Sequence, residues 1–316
     1  MIPTFEAFVA GLSSDLTNVP RDVMWHNYRR LVEVRVAEVR FQFQEMLPDL
    51  TPESIQHLTS TAVADAVMRL HFGDAWFDRM YAGSNTPRQA RGFFYLNTEH
   101  EHLDELTRHR KLELARRVHQ CQFADWFGLV HAAVEKNDLS GVAFELDAAV
   151  YLMNLPINVE RRDASKASGR DFDLNFWIAN PPKAVEVKAK DDGTAFTAKT
   201  LGKTIKQASE QIPQGQTGFL FLRIPFRWGG PALEANLHDY LADALISRDD
   251  NSTRYRISVV FSAVDKVYGR PNDVTVSRVW DVFKADLCPA IDWDLALRLK
   301  QLNDADLTFM APDTPF

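Results

Sequence analysis

The stretch that decides the expected fold is DFDLNFWIANPPKAVEVK, residues 171–188. Asp171–Ile178 and Ala184–Val187 are two short runs rich in apolar residues, a composition that is typical of strands. The sequence NPPK at residues 180–183 separates them and is a turn signal, so the two runs are predicted to form a hairpin. Glu186 and Lys188 lie two residues apart on the second run, which predicts that their side chains leave the same face of the strand.

The hairpin is expected to bring an aspartate beside Glu186. Asp173 is the first choice because apolar residues flank it, and a carboxylate in an apolar strand is costly unless it binds a metal or a hydrogen-bond donor. Asp171 is the second choice, or a further ligand. Oxygen ligands suit Mg²⁺ or Mn²⁺, and one Asp, one Glu and the backbone carbonyl of Val187 are a sufficient contribution because the ion keeps several waters. The structural alternative for Asp173 is a strand-edge aspartate that caps a turn.

Lys188 is expected to have a role other than metal binding. An ammonium beside a metal-bound water can orient that water and stabilise the charge that develops in the transition state. To act as the base instead, it needs neighbouring positive charge that lowers its pKa. The alternative is an ion pair with Glu186 or Asp173. Lys190, two residues further on the same face, is a possible substitute.

The elements around the hairpin extend the pattern over residues 140–225. Upstream is a helix that contains FELDAA (residues 144–149), and PINV (residues 156–159) is expected to be a first strand. Downstream, Thr197–Ile212 is expected to be helical, and GFLFLRI (residues 218–224) is typical of a buried strand. This order of elements, together with the Asp-x(n)-Glu-x-Lys spacing, resembles the PD-(D/E)XK nuclease superfamily, the fold of many restriction enzymes and junction resolvases. The sequence departs from that pattern in having no Pro before either aspartate.

The resemblance implies a restriction-endonuclease-like α/β (α+β) fold with a mixed central sheet flanked by helices. It implies a Mg²⁺- or Mn²⁺-dependent endonuclease that hydrolyses phosphodiester bonds in DNA in preference to RNA. Glu145 would then add a metal ligand or hold a metal-bound water, and a surface glutamate in helical ion pairs is the alternative. Gln207 and Gln211 correspond to a downstream residue that contacts substrate or water, although exposed glutamines on a helix have the same spacing.

The residues before the hairpin region are expected to form a mainly helical part, residues 1–137. Its expected helices are Val23–Leu47, His57–Arg69 with Thr51 as N-cap and Pro52 in the first turn, Asp74–Tyr81, and one or two helices over Glu99–Lys136. Ser140 is expected to cap the helix that follows. Residues 138–316 are then the nuclease-like domain, with a later helix over Leu233–Ser247 and strands over Arg254–Ala263 and Val274–Lys284.

Composition sets outer limits on function. The formal charge of −7 over 316 residues is unusual for a protein that binds nucleic acid, but a site needs only a local positive surface. Six lysines are candidates for that surface or for an ordinary solvated face: Lys183, Lys188, Lys190, Lys199, Lys203 and Lys206. Two distant cysteines, no signal-like N-terminus and no apolar run of membrane length lead us to expect a cytoplasmic protein without a membrane partner.

Two other interpretations remain open. The chain could be a catalytically inactive nuclease-fold module that binds nucleic acid or protein, with the helical part contacting a protein partner or a second copy. The Glu-x-Lys pattern could also be a coincidence in an unrelated α+β protein. The histidines around Glu99–His102, with His109 and His119, suggest a second metal site by composition, but a charged solvated helix explains them better.

Overall fold

The structure, a computed structural model, describes residue 33 and residues 36–87, 90–96, 101–122, 124–135, 139–162, 172–190, 197–225, 228, 231–246, 256–270 and 273–309. These residues divide into two compact units. The first contains the described residues before 97 and those from 107 to 124, and the second contains the others. The domain boundary expected at residue 137 stays a prediction.

The first unit is helical, as the sequence predicts. Residues 36–46 are helical, and the rest of the expected Val23–Leu47 helix lies mostly outside the described residues. The further helices are α1 (Pro52–Phe72), α2 (Asp74–Met80), α3 (Arg91–Phe94) and, from residue 107 onward, α4 (Glu101–Cys121). The predicted cap of α1 is confirmed, because the Thr51 side chain accepts a hydrogen bond from the Ser54 amide at 3.2 Å.

The second unit is built on a six-stranded mixed sheet. Its strands are β1 (Val159–Arg161), β2 (Leu174–Phe176), β3 (Lys183–Ala189), β4 (Gly218–Ile224), β5 (Ile257–Arg270) and β6 (Asp273–Lys284), and they lie side by side in chain order. β3, β4 and β5 are parallel to one another, whereas the other neighbouring pairs are antiparallel. The helices of this unit are α5 (Phe127–Glu135), α6 (Leu139–Met153), α7 (Ala198–Gln211), α8 (Pro231–Ile246) and α9 (Ala290–Phe309).

Helices cover both faces of the centre of the sheet. On one face, Leu220 and Leu222 of β4 pack with buried residues of α7 and α8, and we call this the α7 face. On the other face, Phe221 of β4 stacks on Phe261 of β5, and Tyr151 of α6 contacts both rings; we call this the α6 face. All seven residues of β4 are buried, which a strand achieves only when both of its faces are covered.

The predicted order helix, strand, strand, strand, helix, strand is confirmed as α6, β1, β2, β3, α7 and β4. The strand expected at Asp171–Ile178 has only three residues, because its outer neighbour β1 offers only three pairing residues. Of the one or two helices expected over Glu99–Lys136, the described residues form two, α4 and α5. The prediction that Ser140 caps α6 is wrong, since this helix begins one residue earlier, at the buried Leu139.

A network of buried charged side chains connects strands β4, β5 and β6 to helix α6. Arg278 of β6 donates from Nε to Asp265 of β5 at 2.7 Å, and its Nη1 pairs with Asp147 of α6. Arg223 of β4 pairs with the second oxygen of Asp265 at 3.3 Å. At most a tenth of each of these side chains is exposed, so each charge depends on its partners.

Replacing Arg278 by Met is therefore expected to lower the free energy of unfolding by about 3–5 kcal/mol, because it leaves buried carboxylates without their main partner. Urea unfolding at neutral pH measures this difference. Lys300→Met is the matched control, since it breaks the more exposed Lys300–Asp304 pair on α9 and is expected to change stability by less than about 1 kcal/mol. Equal effects of the two substitutions would contradict this account of the buried network.

Candidate active site

Glu186 is completely buried although it carries a carboxyl group. It lies in the middle of β3 with 0 % of its surface exposed, and it is in register with Leu220 of β4. It therefore lies on the α7 face, beside an apolar cluster. Neither of its carboxylate oxygens accepts a well-formed hydrogen bond from a described residue, although Lys188 Nζ forms an ion pair with Oε1. The ion pair with Glu186 that was the alternative for Lys188 is therefore observed.

Asp173 lies where β2 and β3 stop pairing, next to Glu186. Its Oδ2 accepts a hydrogen bond from the Val187 amide at 2.8 Å. In a regular antiparallel pair of strands, a backbone carbonyl of the neighbouring strand would accept this hydrogen bond. The backbone of Asp173 is fixed on both sides: its amide donates to the Val185 carbonyl at 3.1 Å, and its carbonyl accepts from the Arg162 amide at 2.9 Å. The N–H and C=O of a strand residue point to the same side, so the Val187 carbonyl also faces Asp173.

Glu145 reaches this group of charges from α6. Its Oε2 accepts two bonds from Arg161 of β1, at 2.7 Å from Nε and 2.6 Å from Nη2. Both side chains are largely buried, and two contacts from one guanidinium fix the orientation of the carboxylate. The sequence does not predict Arg161 as a site residue, because the first strand is expected to end at Val159. Alternation along a strand longer by two residues was the signal that could have found it.

Burial raises the pKa of both central carboxyl groups. The pKa of Asp173 rises to about 7, first because the group is removed from water and second because of the negative charge of Glu145. The pKa of Glu186 rises to about 9, again mainly through burial and then through the charge of Asp173. The positive charge of Lys188 lowers the pKa of both groups, but burial has the larger effect.

The two central carboxyl groups fit a divalent cation. Among the described residues, no group of three or more His, Cys, Asp or Glu side chains is arranged to hold a metal ion. Mg²⁺ does not require such a group, since it commonly binds one or two carboxylates and keeps several waters. A cation would also satisfy the Glu186 oxygens, which have the ion pair with Lys188 but accept no well-formed hydrogen bond from the described residues.

The remaining site candidates are placed less centrally. Asp171 lies outside the described residues. Lys190 follows the end of β3 and is half-buried. On α7, Gln207 is exposed, and Gln211 is half-buried at the last residue of the helix.

The expected positive surface is smaller than the sequence suggested. Lys199, Lys203 and Lys206 are exposed on α7, in agreement with a positive or merely solvated face. The prediction that Lys183 belongs to this surface is wrong. Its ammonium pairs with the buried Asp292 at 2.8 Å and donates to Thr217 at 2.8 Å, so its charge is used inside the protein.

Other sequence features bear less on the site. Cys121 is buried, Cys288 is partly buried, and neither forms a disulfide. His119 is buried, and no histidine cluster in the described part of the chain is arranged to hold a metal. None of the helices described is both long and apolar enough to cross a membrane.

Comparisons of the chain with protein-family models, with curated proteins and with solved structures gave no match.

The raised pKa values predict how the stability of the metal-free protein depends on pH. Above about pH 5 the native state keeps a proton on Asp173 up to about pH 7 and on Glu186 up to about pH 9, whereas the unfolded state has released both, so stability falls as pH rises toward these native pKa values. Glu186→Gln cannot ionise and should lose part of this slope. Urea unfolding in EDTA from pH 6 to pH 9.5 should therefore show the variant gaining stability relative to the unchanged protein.

Asp294→Asn, at an exposed carboxylate on α9, is the control for this experiment and should keep the original slope. If Glu186→Gln also keeps it, or loses stability at every pH, Glu186 is ionised in the native protein and its pairing with Lys188 outweighs its burial.

Proposed function

We propose that this protein is a Mg²⁺- or Mn²⁺-dependent phosphodiesterase that cleaves DNA, with a restriction-endonuclease-like fold. The observation that carries the proposal is the buried Glu186 carboxyl group, which lies beside Asp173, forms an ion pair with the Lys188 ammonium and accepts no well-formed hydrogen bond from the described residues. Buried carboxyl groups with raised pKa values cluster at functional sites, because a fold without a use for them is more stable with apolar residues there.

Two carboxylates and a backbone oxygen are the proposed ligands of the ion. Asp173 and Glu186 supply charge, and the Val187 carbonyl faces the same side as the amide that already binds Asp173. When bound, the divalent ion supplies Lewis-acid stabilisation of the phosphate and a nucleophilic water of lowered pKa. The strands hold these ligands without rearrangement, since the backbone of Asp173 is bonded on both sides.

Glu145 and Arg161 form the outer part of the proposed site. Arg161 prevents the Glu145 carboxylate from rotating freely, so Glu145 can accept a hydrogen bond from a water in one fixed direction. The negative charge of Glu145 also acts on Asp173, which means that the two groups are electrostatically coupled. This arrangement favours the water-holding role of Glu145 over a direct ligand role.

Lys188 is the proposed electrostatic catalyst. In the metal-free protein it pairs with Glu186, which shows that its ammonium reaches the carboxyl group on which the proposed ion would depend. A cation at Glu186 would repel this ammonium and make it available to the phosphate, where it can stabilise developing negative charge. Lys190, Gln207 and Gln211 are further candidates for contacts with DNA or water.

The order of elements and the mixed sheet support the proposed fold assignment. In α6–β1–β2–β3–α7–β4, the carboxylates stand on the β2–β3 hairpin and on the helix before it, as the resemblance implies. A cytoplasmic location accompanies this proposal, as does contact between the helical part and a protein partner or second copy.

A second candidate function is an inactive nuclease-fold module that binds protein or nucleic acid. The ion pair between Lys188 and Glu186 favours it, because a paired carboxylate needs no further cation. The net charge of −7 agrees with it as well. Divalent-ion binding separates the two candidates.

Mg²⁺ or Mn²⁺ is expected to raise the melting temperature of the unchanged protein, since a ligand that binds only the native state stabilises it. Glu186→Gln and Asp173→Asn should each abolish this shift while the metal-free fold remains intact. Asp294→Asn should keep the full shift because that carboxylate is exposed on α9. No shift in the unchanged protein would favour the inactive module.

Lys188→Ala is expected to keep metal binding and to lower the rate of DNA cleavage by about 10²–10³-fold, the usual effect of removing one preorganised electrostatic group. Lys190→Ala, alone and combined with Lys188→Ala, shows whether the second lysine substitutes for the first. Lys284→Ala, at an exposed lysine of β6, is the control. Cleavage at the unchanged rate by the double variant would rule out a catalytic role for this strand.

A further inference from the structure

Strands β5 and β6 continue well beyond the rest of the sheet. The last pair between β4 and β5 is Ile224 with Val264, but β5 and β6 stay paired from Asp265–Arg278 to Arg270–Asp273. We call residues 265–270 and 273–278 the ribbon. Six residues per strand give it a length of about 20 Å. In the described part of the chain no third strand pairs with it.

The ribbon extends from the sheet at the C-terminal ends of the parallel strands, where the candidate site also lies. β3, β4 and β5 are parallel, and Ala189, Arg223 and Ala263 form one row across them. The ribbon begins two residues beyond this row, while Lys188 lies one residue before it. Two strand spacings separate β3 from β5, which is about 10 Å. The ribbon and the proposed catalytic lysine are therefore neighbours at one edge.

The ribbon also presents polar and aromatic side chains to the face that carries Glu186. Lys188 is in register with Leu222 and Ser262, and alternation along β5 places Lys266 and Tyr268 on the same face as Ser262. Ser277 is directly opposite Lys266 on β6. Tyr268 is 51 % exposed.

The base of the ribbon is fixed to the helix that carries Glu145. Asp265 and Arg278 are the first pair of the ribbon, and Arg278 also pairs with Asp147 of α6. Asp147 is two residues from Glu145 in the same helix. The direction of the ribbon is therefore set by the same helix that positions part of the candidate site, so a molecule held by the ribbon has a defined place relative to the carboxyl groups.

We propose that the ribbon enters the major groove of double-stranded DNA and holds the duplex against the site; this inference rests on the proposed function. A major groove about 12 Å wide and about 8.5 Å deep admits a two-stranded ribbon, and a ribbon of about 20 Å is long enough to reach the floor of the groove. Lys266 would contact phosphate and Tyr268 a base edge or phosphate. The exposed Lys199 and Lys203 of α7, which begins soon after β3 ends, would contact the flanking backbone.

The test compares Tyr268→Ala, Lys266→Gln and the double variant with the unchanged protein in binding a fluorescent duplex of about 25 base pairs, in EDTA to prevent cleavage. Each single change should weaken duplex binding by about tenfold. Lys266→Gln should also reduce the dependence on salt concentration by about one ion. Lys284→Gln is the control, because it removes the same charge at the opposite end of the same hairpin, opposite Val259.

Unchanged duplex affinity in Tyr268→Ala and in the double variant would overturn the proposal, as would tighter binding of the unchanged protein to a single strand of the same sequence. A protein that shows no affinity for either DNA overturns it too. The nuclease proposal is judged separately by the Mg²⁺ shift and its loss in Glu186→Gln. If that shift is found while the ribbon variants bind normally, only the ribbon proposal fails.

Discussion

The candidate site in the second unit depends on the state of one buried carboxyl group, that of Glu186. Glu186 lies at the centre of a strand covered by helices, and the described residues give its oxygens an ion pair but no well-formed hydrogen bond. Its surface is fully buried because it lies on the α7 face beside an apolar cluster. The group must be protonated, paired or bound to a cation, and burial alone favours protonation. Under the proposed function, the site would exchange this proton for a metal ion.

The neighbours of Glu186 are held by contacts that leave little freedom. At the end of the β2–β3 pairing, the Asp173 carboxylate takes the place of a backbone carbonyl as acceptor for the Val187 amide. The strand end itself therefore positions this carboxylate. Arg161 fixes Glu145 through two contacts. The buried network around Arg278 connects the same helix to the far strands. Rigid placement of this kind is what preorganised electrostatic catalysis needs, since the groups do not reorganise during the reaction.

Local patterns were sufficient to predict the order of elements and the burial of Glu186. The apolar neighbours of Glu186 indicated a buried strand, and Thr51-Pro52 indicated the start of α1, because these signals act within a few residues. The partners of buried charges could not be predicted. Asp147 meets Arg278 across 131 positions, and Lys183 meets Asp292 across 109, so only the fold brings these pairs together. Lys183 was assigned to the wrong surface for this reason.

The most direct measurement is crystallographic: crystals grown with Mn²⁺ at about pH 8, with anomalous diffraction recorded at the manganese edge. The account predicts one strong peak about 2 Å from oxygens of Asp173 and Glu186, with Lys188 moved away from Glu186. A well-ordered site without a peak, with Lys188 still paired to Glu186 at saturating Mn²⁺, would contradict it. In that case the buried carboxyl group serves structure alone.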